Sequence, residues 1–337
     1  MNIPLISIII PFYNERNRLA DLLRSVNRLE ASGFSYEVIF VNNNSSDEYL
    51  SEFSSYPRVR LVDAIGKASS YFARNCGAKH AFGKYLLFID ADVIPSATIL
   101  ECYRAYISNQ PEGVHAVFAG DILPYHQESS HADISLFLAY AESRKILNQK
   151  SAATGWAFRP FAQTANCLMS LADFVSVGGF NENMTSGGDS EICWRLAQAH
   201  PNFQVVHCVD AYVRHIHRDD SISFAKQFTK YGRGRSEQIL ESEFFAENMK
   251  RQSHDNESSA ILLDKILQQG ISVGIDKEFL FLVIDYAKEM FFQTGYLRGL
   301  LRHASINPDL DYAELHKTLL KLCQNSGLLG QSSDKQP

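Results

Sequence analysis

The chain has 337 residues, 45% of them hydrophobic and 21% charged, ordinary globular values that supply a core for one large α/β domain with or without an appendage. Its net charge of -6 argues against a nucleic-acid binder, which would carry a basic balance, although a local basic patch stays compatible with it. Six cysteines are scattered with no Cys-x-x-Cys pair, so free buried thiols in a reducing compartment are expected rather than disulfides or a cysteine zinc site. The start, Met1-Asn2-Ile3-Pro4, shows no basic n-region, so no signal peptide is expected. No apolar run approaches the roughly 18 residues of a membrane span.

From the N-terminus, Leu5 to Ile10, Tyr36 to Val41, Val59 to Val62 and Tyr85 to Ile89 are β-branched and aromatic runs of strand length. Between them Leu19, Leu22, Leu23 and Val26 recur at helical spacing, as do Tyr71, Asn75, Ala78 and Ala81 more weakly. This alternation predicts a parallel sheet with helices on both faces, whose ligands sit beyond the carboxyl ends of the strands. Polar, turn-forming residues follow three of these strands: Pro11 to Glu15, Asn42 to Asp47, and Asp90-Ala91-Asp92. Further on, Asn166 to Ser170 and Val205 to Val213 read as strands and Asp189 to Ala199 as a helix. Beyond about residue 236 the composition is helical. The polar end from Ser326 is expected to be disordered.

Neither a Gly-x-Gly-x-x-Gly turn nor a phosphate loop ending in Gly-Lys-Ser/Thr is present, which disfavours dehydrogenases and P-loop ATPases. Asp90 and Asp92, one residue apart on extended backbone, point the same way. Two hard oxygen ligands at a strand end suit Mg²⁺ or Mn²⁺, while a solvated turn is the plainer alternative. His215 and His217 likewise share a strand face, suited to metal or phosphate. Ser186-x-x-Asp189 resembles a helix capping box.

Ile6 to Glu15, Ala73-Arg74-Asn75-Cys76-Gly77-Ala78, Gly83-Lys84-Tyr85 with Asp90-Ala91-Asp92, and Gly178 to Glu182 leading into Gly188 to Glu191 occur in order. Together they resemble the family 2 inverting glycosyltransferases of the GT-A fold over roughly residues 5 to 235. The resemblance implies a nucleotide-diphospho-sugar transferase domain with a helical C-terminal appendage, bounded as residues 1–235, 236–325 and a tail of 326–337. It also implies a sugar moved with inversion from a nucleotide-sugar donor to a hydroxyl of a glycan or lipid-linked acceptor, with Mg²⁺ or Mn²⁺.

By the same resemblance Pro11, Tyr13 and Glu15 hold the nucleotide, Lys67 and Arg74 lie on the donor side, and Asp90 sits near the ribose. Asn43 stands where many members carry an aspartate that reads uracil, so the base is left open. Asp92, with Asp90 and His215, matches the metal ligands. Asp189 matches the general base, although Gly188 replaces an acid common in relatives. Glu191 is the fallback base and, with Trp156, an acceptor-side candidate. Trp156 and Trp194 are otherwise core residues.

A sugar-nucleotide nucleotidyltransferase would need a Gly- and Arg-rich loop after the first strand, which is missing. A non-catalytic nucleotide or saccharide module on the same fold is the other alternative. Gln227 to Arg235 is a basic segment suited to an acceptor channel or an anionic membrane surface. Leu280, Val283, Ile284, Ala287 and Phe291 form a helical stripe expected to dock on the main domain or a second copy, making a homodimer. A cytoplasmic protein, peripheral at the inner face of the membrane, is the expected setting.

Overall fold

The structure is a computed structural model that describes residues 5–14, 16–45, 53, 56–125, 136–155, 159–216, 221–241 and 277–303. The elements are, in order, β1 (Ile6–Phe12), α1 (Arg16–Asn27), β2 (Tyr36–Asn42), β3 (Val59–Asp63), α2 (Ser70–Lys79), β4 (Tyr85–Ile89), β5 (Val93–Pro95), α3 (Ile99–Ser108) and β6 (Ala116–Pro124). They continue with α4 (Leu136–Ser143), α5 (Gln149–Ala153), β7 (Asn166–Ser170), α6 (Leu171–Ser176), α7 (Gly188–Ala199), β8 (Gln204–His215), α8 (Ser221–Glu241) and α9 (Lys277–His303).

Eight strands form one sheet in the order β3-β2-β1-β4-β7-β6-β8-β5. Strands β1 to β4 are mutually parallel, as expected. The sheet as a whole is mixed, because the strands beyond those first four bring in antiparallel pairs. β7 enters antiparallel between β4 and β6, and β5 returns antiparallel to β8. The short β7 carries the same apolar run a parallel strand would, because direction depends on connection and not on burial.

Alternate residues of each strand serve opposite faces. Ile8, Ile10, Val38, Phe40 and Leu87 join α1 and α3 in one core, where Leu19, Leu22, Ile99 and Tyr103 pack. Ile9, Ile39, Val41, Leu86 and Phe88 join α2, α6 and α7 in the other, against Tyr71, Phe174, Ile192 and Leu196. Covering both faces explains why β1 reads as a continuous apolar run instead of an alternating one.

A buried polar knot fixes the β6–β7–β8 region. Tyr103 Oη donates to Asn166 Oδ1 (2.7 Å), and Asn166 Nδ2 donates to the carbonyls of Asp121 (3.0 Å) and Ala211 (2.8 Å). Gly120 lies at the register shift between β6 and β8, and a Cβ there would stand 2.2–2.3 Å from Ala211 O, Asn166 Nδ2 and Tyr103 Oη. Gly120→Ala is therefore expected to cost about 3 kcal/mol of stability by overpacking and by parting buried hydrogen bonds. Urea unfolding of variant and parent measures it.

Contacts divide the chain into Met1–Phe224 and Ala225–Pro337. In the second unit α8 and α9 approach until a Cβ on Gly232 would lie 1.8 Å from the Phe292 carbonyl oxygen, and one on Gly295 would lie 1.9 Å from that of Thr229. The buried positions of α9 include Phe281, Ile284, Gly295 and Gly299, while Val283 is 41% exposed. The bulky stripe read from the sequence is thus only partly the buried face, because glycines also set where the helices meet. Among the described residues no helix is long and apolar enough to cross a membrane.

Candidate functional site

The carboxyl ends of β1, β2, β3 and β4 share one edge, and β6 and β8 run in the same direction as β4. Three loops are knitted together there. The Asn43 amide donates to the Phe12 carbonyl (2.9 Å), Asn42 Nδ2 donates to Asp63 Oδ1 (2.9 Å), and the Gly66 amide donates to Asn44 Oδ1 (3.3 Å). Asn44 and Asn14 take left-handed backbone, with φ of 62° and 52°, which asparagine tolerates better than most residues. Asn42 and Asn44 thus shape the loop, and buried Asn43 accepts from Asn44 Nδ2 (3.1 Å). Tyr13, 59% exposed, and Ile65, 80% exposed, stand at this same edge. Pro11 is buried in β1.

Helix α2 brings Arg74 to the next strand end. Its guanidinium is buried, with Nη2 donating to Asp90 Oδ1 (2.5 Å) and packing over the Tyr71 ring (5.6 Å). Nε of Arg74 is buried with no hydrogen-bond partner among the described residues. A buried donor left this way has a charge-assisted bond in hand for an anionic ligand beside Asp90.

Asp92 and His215 are brought together by strand pairing. Val93 pairs with His215 across β5 and β8, and the Ile216 amide donates to the Asp92 carbonyl (3.0 Å). The side chains face each other with Asp92 Oδ1 and His215 Nε2 3.5 Å apart. Two donors bound at right angles about 2.1 Å from a small divalent cation lie about 3 Å apart, so this pair fits one with a slight contraction. The carboxylate oxygen suits either Mg²⁺ or Mn²⁺, and the imidazole nitrogen favours Mn²⁺ of the two.

Asp189 occupies the first turn of α7. The capping residue is Gly187, in left-handed conformation with φ 78°, and Ser186 makes no cap, so the capping-box reading is corrected. Asp189 Oδ1 accepts from the Ser190 amide (3.0 Å). Burial pushes its carboxyl above the ordinary aspartate range and Asp90 pushes it the same way, while that amide and Arg74 pull it down. Asp90, Arg74 and Asp189 therefore belong to one electrostatic group.

Contacts that the motifs did not reveal hold α7 in place. Tyr71 Oη accepts from the Gly188 amide (2.8 Å), and burial raises the Tyr71 phenol, keeping it neutral. Asn75 donates to the Phe180 carbonyl and accepts from its amide (both 2.9 Å). Tyr71 and Asn75 are four apart on α2, a spacing that marks one helical face without naming its partner. Lys67 Nζ donates to Asn183 Oδ1 (2.6 Å), joining the β3–α2 loop to the segment before α7.

Glu191 is buried and turned inward, both of its oxygens on Arg195 (2.6 and 2.7 Å), and Arg195 also donates to the carbonyls of Val177 and Gly179. That gives Glu191 a structural task. Arg195→Met is expected to lower stability by about 3 kcal/mol, because it leaves the Glu191 charge buried alone. Adding Glu191→Gln should recover part of the loss in a double-mutant cycle. Glu15, Trp156 and His217 lie outside the described residues.

An open sheet with these groups gathered beyond its strand ends is the architecture of the GT-A glycosyltransferases. Residues 7–161 match the model of the family described as "Glycosyl transferase family 2". That segment is slightly under half of the chain, and over it the chain is similar to family 2. It is similar to glycosyltransferase AglE of Haloferax volcanii, 26% identical over 236 residues that span 69% of this chain and 73% of that one. It is also similar to an undecaprenyl-phosphate 4-deoxy-4-formamido-L-arabinose transferase of Edwardsiella ictaluri, 33% identical over 100 residues, 27% of this chain and 30% of that one. Among solved structures, the mannosyltransferase PcManGT from Pyrobaculum calidifontis in complex with GDP-Man and Mn²⁺ shares the fold. Its TM-score is 0.52 at 14% identity, covering 96% of this chain and 81% of that one.

Proposed function

We propose that the chain transfers a sugar, with inversion, from a nucleoside-diphosphate donor to a hydroxyl of a glycan or lipid-linked acceptor. The observation that carries this is the single electrostatic group of Asp189, Arg74 and Asp90, beside the Asp92–His215 pair.

Asp189 accepts the proton of the acceptor hydroxyl. Desolvation raises its basicity, and the Ser190 amide holds one carboxylate oxygen in place. The attacking oxygen displaces the diphosphate directly, so one base suffices and no enzyme nucleophile is needed. Arg74 meets the departing phosphates through Nε, with Asp90 fixing the plane of its guanidinium. Asp92 and His215, with Asp90 beside them, would hold Mg²⁺ or Mn²⁺, which supplies Lewis-acid stabilisation of charge on the leaving group.

Tyr13 and Ile65 offer exposed apolar surface for a base, and Asn43 offers an amide able to both donate and accept. That amide replaces the carboxylate expected of a uracil reader, so the base is open. The fold neighbour solved with GDP-Man and Mn²⁺ is consistent with the same ligand classes here.

A thermal-shift screen of UDP, GDP, CDP and dTDP with and without Mn²⁺ tests the donor half, because a ligand of the native state raises its melting point. One nucleotide should stand out, and only with the metal. Product anomeric configuration by NMR tests inversion; retention of configuration, or no nucleoside diphosphate raising the melting point, would overturn the reading.

A further inference from the structure

A second cluster of metal donors lies away from this site. His115 immediately precedes β6, so it sits at the sheet edge opposite to Asp90, because β6 runs in the direction of β4. Its Nδ1 is 2.6 Å from Oδ1 of Asp173 in the first turn of α6, whose amide is capped by Ser170. The His115 ring stacks on that of His200, with centroids 3.8 Å apart and planes 16° from parallel. His200 ends α7, and its Nε2 lies 3.1 Å from Ser176 Oγ. One donor atom from each of His115, Asp173 and His200 falls within 4.8 Å of the others.

We propose that His115, Asp173 and His200 bind one Zn²⁺ or similar borderline divalent ion, as a structural clip separate from the donor-side metal. Two imidazoles and one carboxylate are a zinc donor set, and three protein ligands leave a fourth position for water. The Asp173 carboxylate is buried, where a dication neutralises it and takes both rings as neutral ligands. The His115 side chain is 39% exposed, which leaves a path for the ion and room for the ring to turn.

Tetrahedral bonds of about 2.0–2.1 Å place donors about 3.3 Å apart. Binding therefore opens the 2.6 Å carboxylate–imidazole contact and closes the wider gaps. It also unstacks the rings, since a cation lies in the plane of each imidazole it binds. These are side-chain rotations. The ion would tie the start of β6 and α6 to the residue that caps the end of α7, the helix whose first turn carries Asp189.

The test uses the full chain, stripped with a chelator and titrated with Co²⁺ as an optical probe, then with Zn²⁺. We expect one equivalent giving the intense visible bands of four-coordinate cobalt, displaced by Zn²⁺ with micromolar or tighter affinity. Asp92→Ala should keep this signal, while His115→Ala and His200→Ala should weaken binding at least tenfold. Far-UV circular dichroism checks that each variant is folded. If either alanine variant is not, the milder His200→Gln, at a helix end, carries the comparison. The proposal is overturned if the parent gives no four-coordinate band, if the band is lost in Asp92→Ala, or if it survives in the folded histidine variants.

Discussion

Asp189→Asn is expected to reduce turnover by about 10²–10⁴-fold, the usual contribution of a positioned general base. Affinity for the nucleoside diphosphate should change little, since the amide preserves shape and the donor contacts belong to Arg74 and the metal pair. The pH profile gives a sharper check. Burial raises the Asp189 carboxyl, so the acid limb of kcat/KM should lie above the ordinary aspartate range. The limb should vanish from the residual activity of the variant.

Stability should move the other way from activity. A carboxyl whose folded-state pKa exceeds its unfolded one favours the native state when protonated. That contribution is complete below the unfolded value and is lost as pH rises through the folded value. Near neutrality the parent thus bears the cost of a buried charge that asparagine does not. The variant should melt higher than the parent at neutral pH, and the gap should close as the pH falls below the unfolded aspartate's pKa. Equal melting points at neutral pH, or a parent that melts higher there, would mean that Asp189 is not held in a desolvated state.

Asp92→Ala should lose about 10²–10³-fold in kcat/KM, corresponding to several kcal/mol of charge stabilisation at the leaving group. Chelation of the parent should produce the same loss, and Mn²⁺ should restore the parent but not the variant. The thermal shift by nucleoside diphosphate with Mn²⁺ should disappear as well. His215→Ala should fall between the two, because strand pairing would still present Asp92. Activity of Asp92→Ala that remains at parent level in excess chelator would remove the metal from the reading altogether.

Strands β1 to β4 and the loops at their carboxyl ends were legible in the sequence. Strands covered on both faces must be continuously apolar, and turn residues must follow where the chain leaves the sheet. Asp90 and Asp92 stood out as paired carboxylates at the end of an apolar strand, while Asp189 stood out only through the family resemblance. The antiparallel entry of β7 was not legible, because an apolar five-residue run looks alike in either direction. Nor was the burial of Glu191: its i,i+4 pairing with Arg195 follows helix spacing, but the turn of that pair onto the Val177 and Gly179 carbonyls does not.

Local chemistry, then, is what the sequence by itself determined: which strands form, which loops are polar, and which acids lie beyond them. Tertiary structure decided the partnerships. It paired Asp92 with His215 across β5 and β8, set Arg74 on Asp90, and joined Asp189 to them through desolvation and charge. It also turned Glu191 inward and gathered His115, Asp173 and His200 at the far edge. Apart from Glu191 and Arg195, which are four apart on one helix, these partners are far apart along the chain, and no periodicity links them. Proximity among them is a property of the packed sheet, where the energies of charge and burial are settled by distances that only the fold supplies.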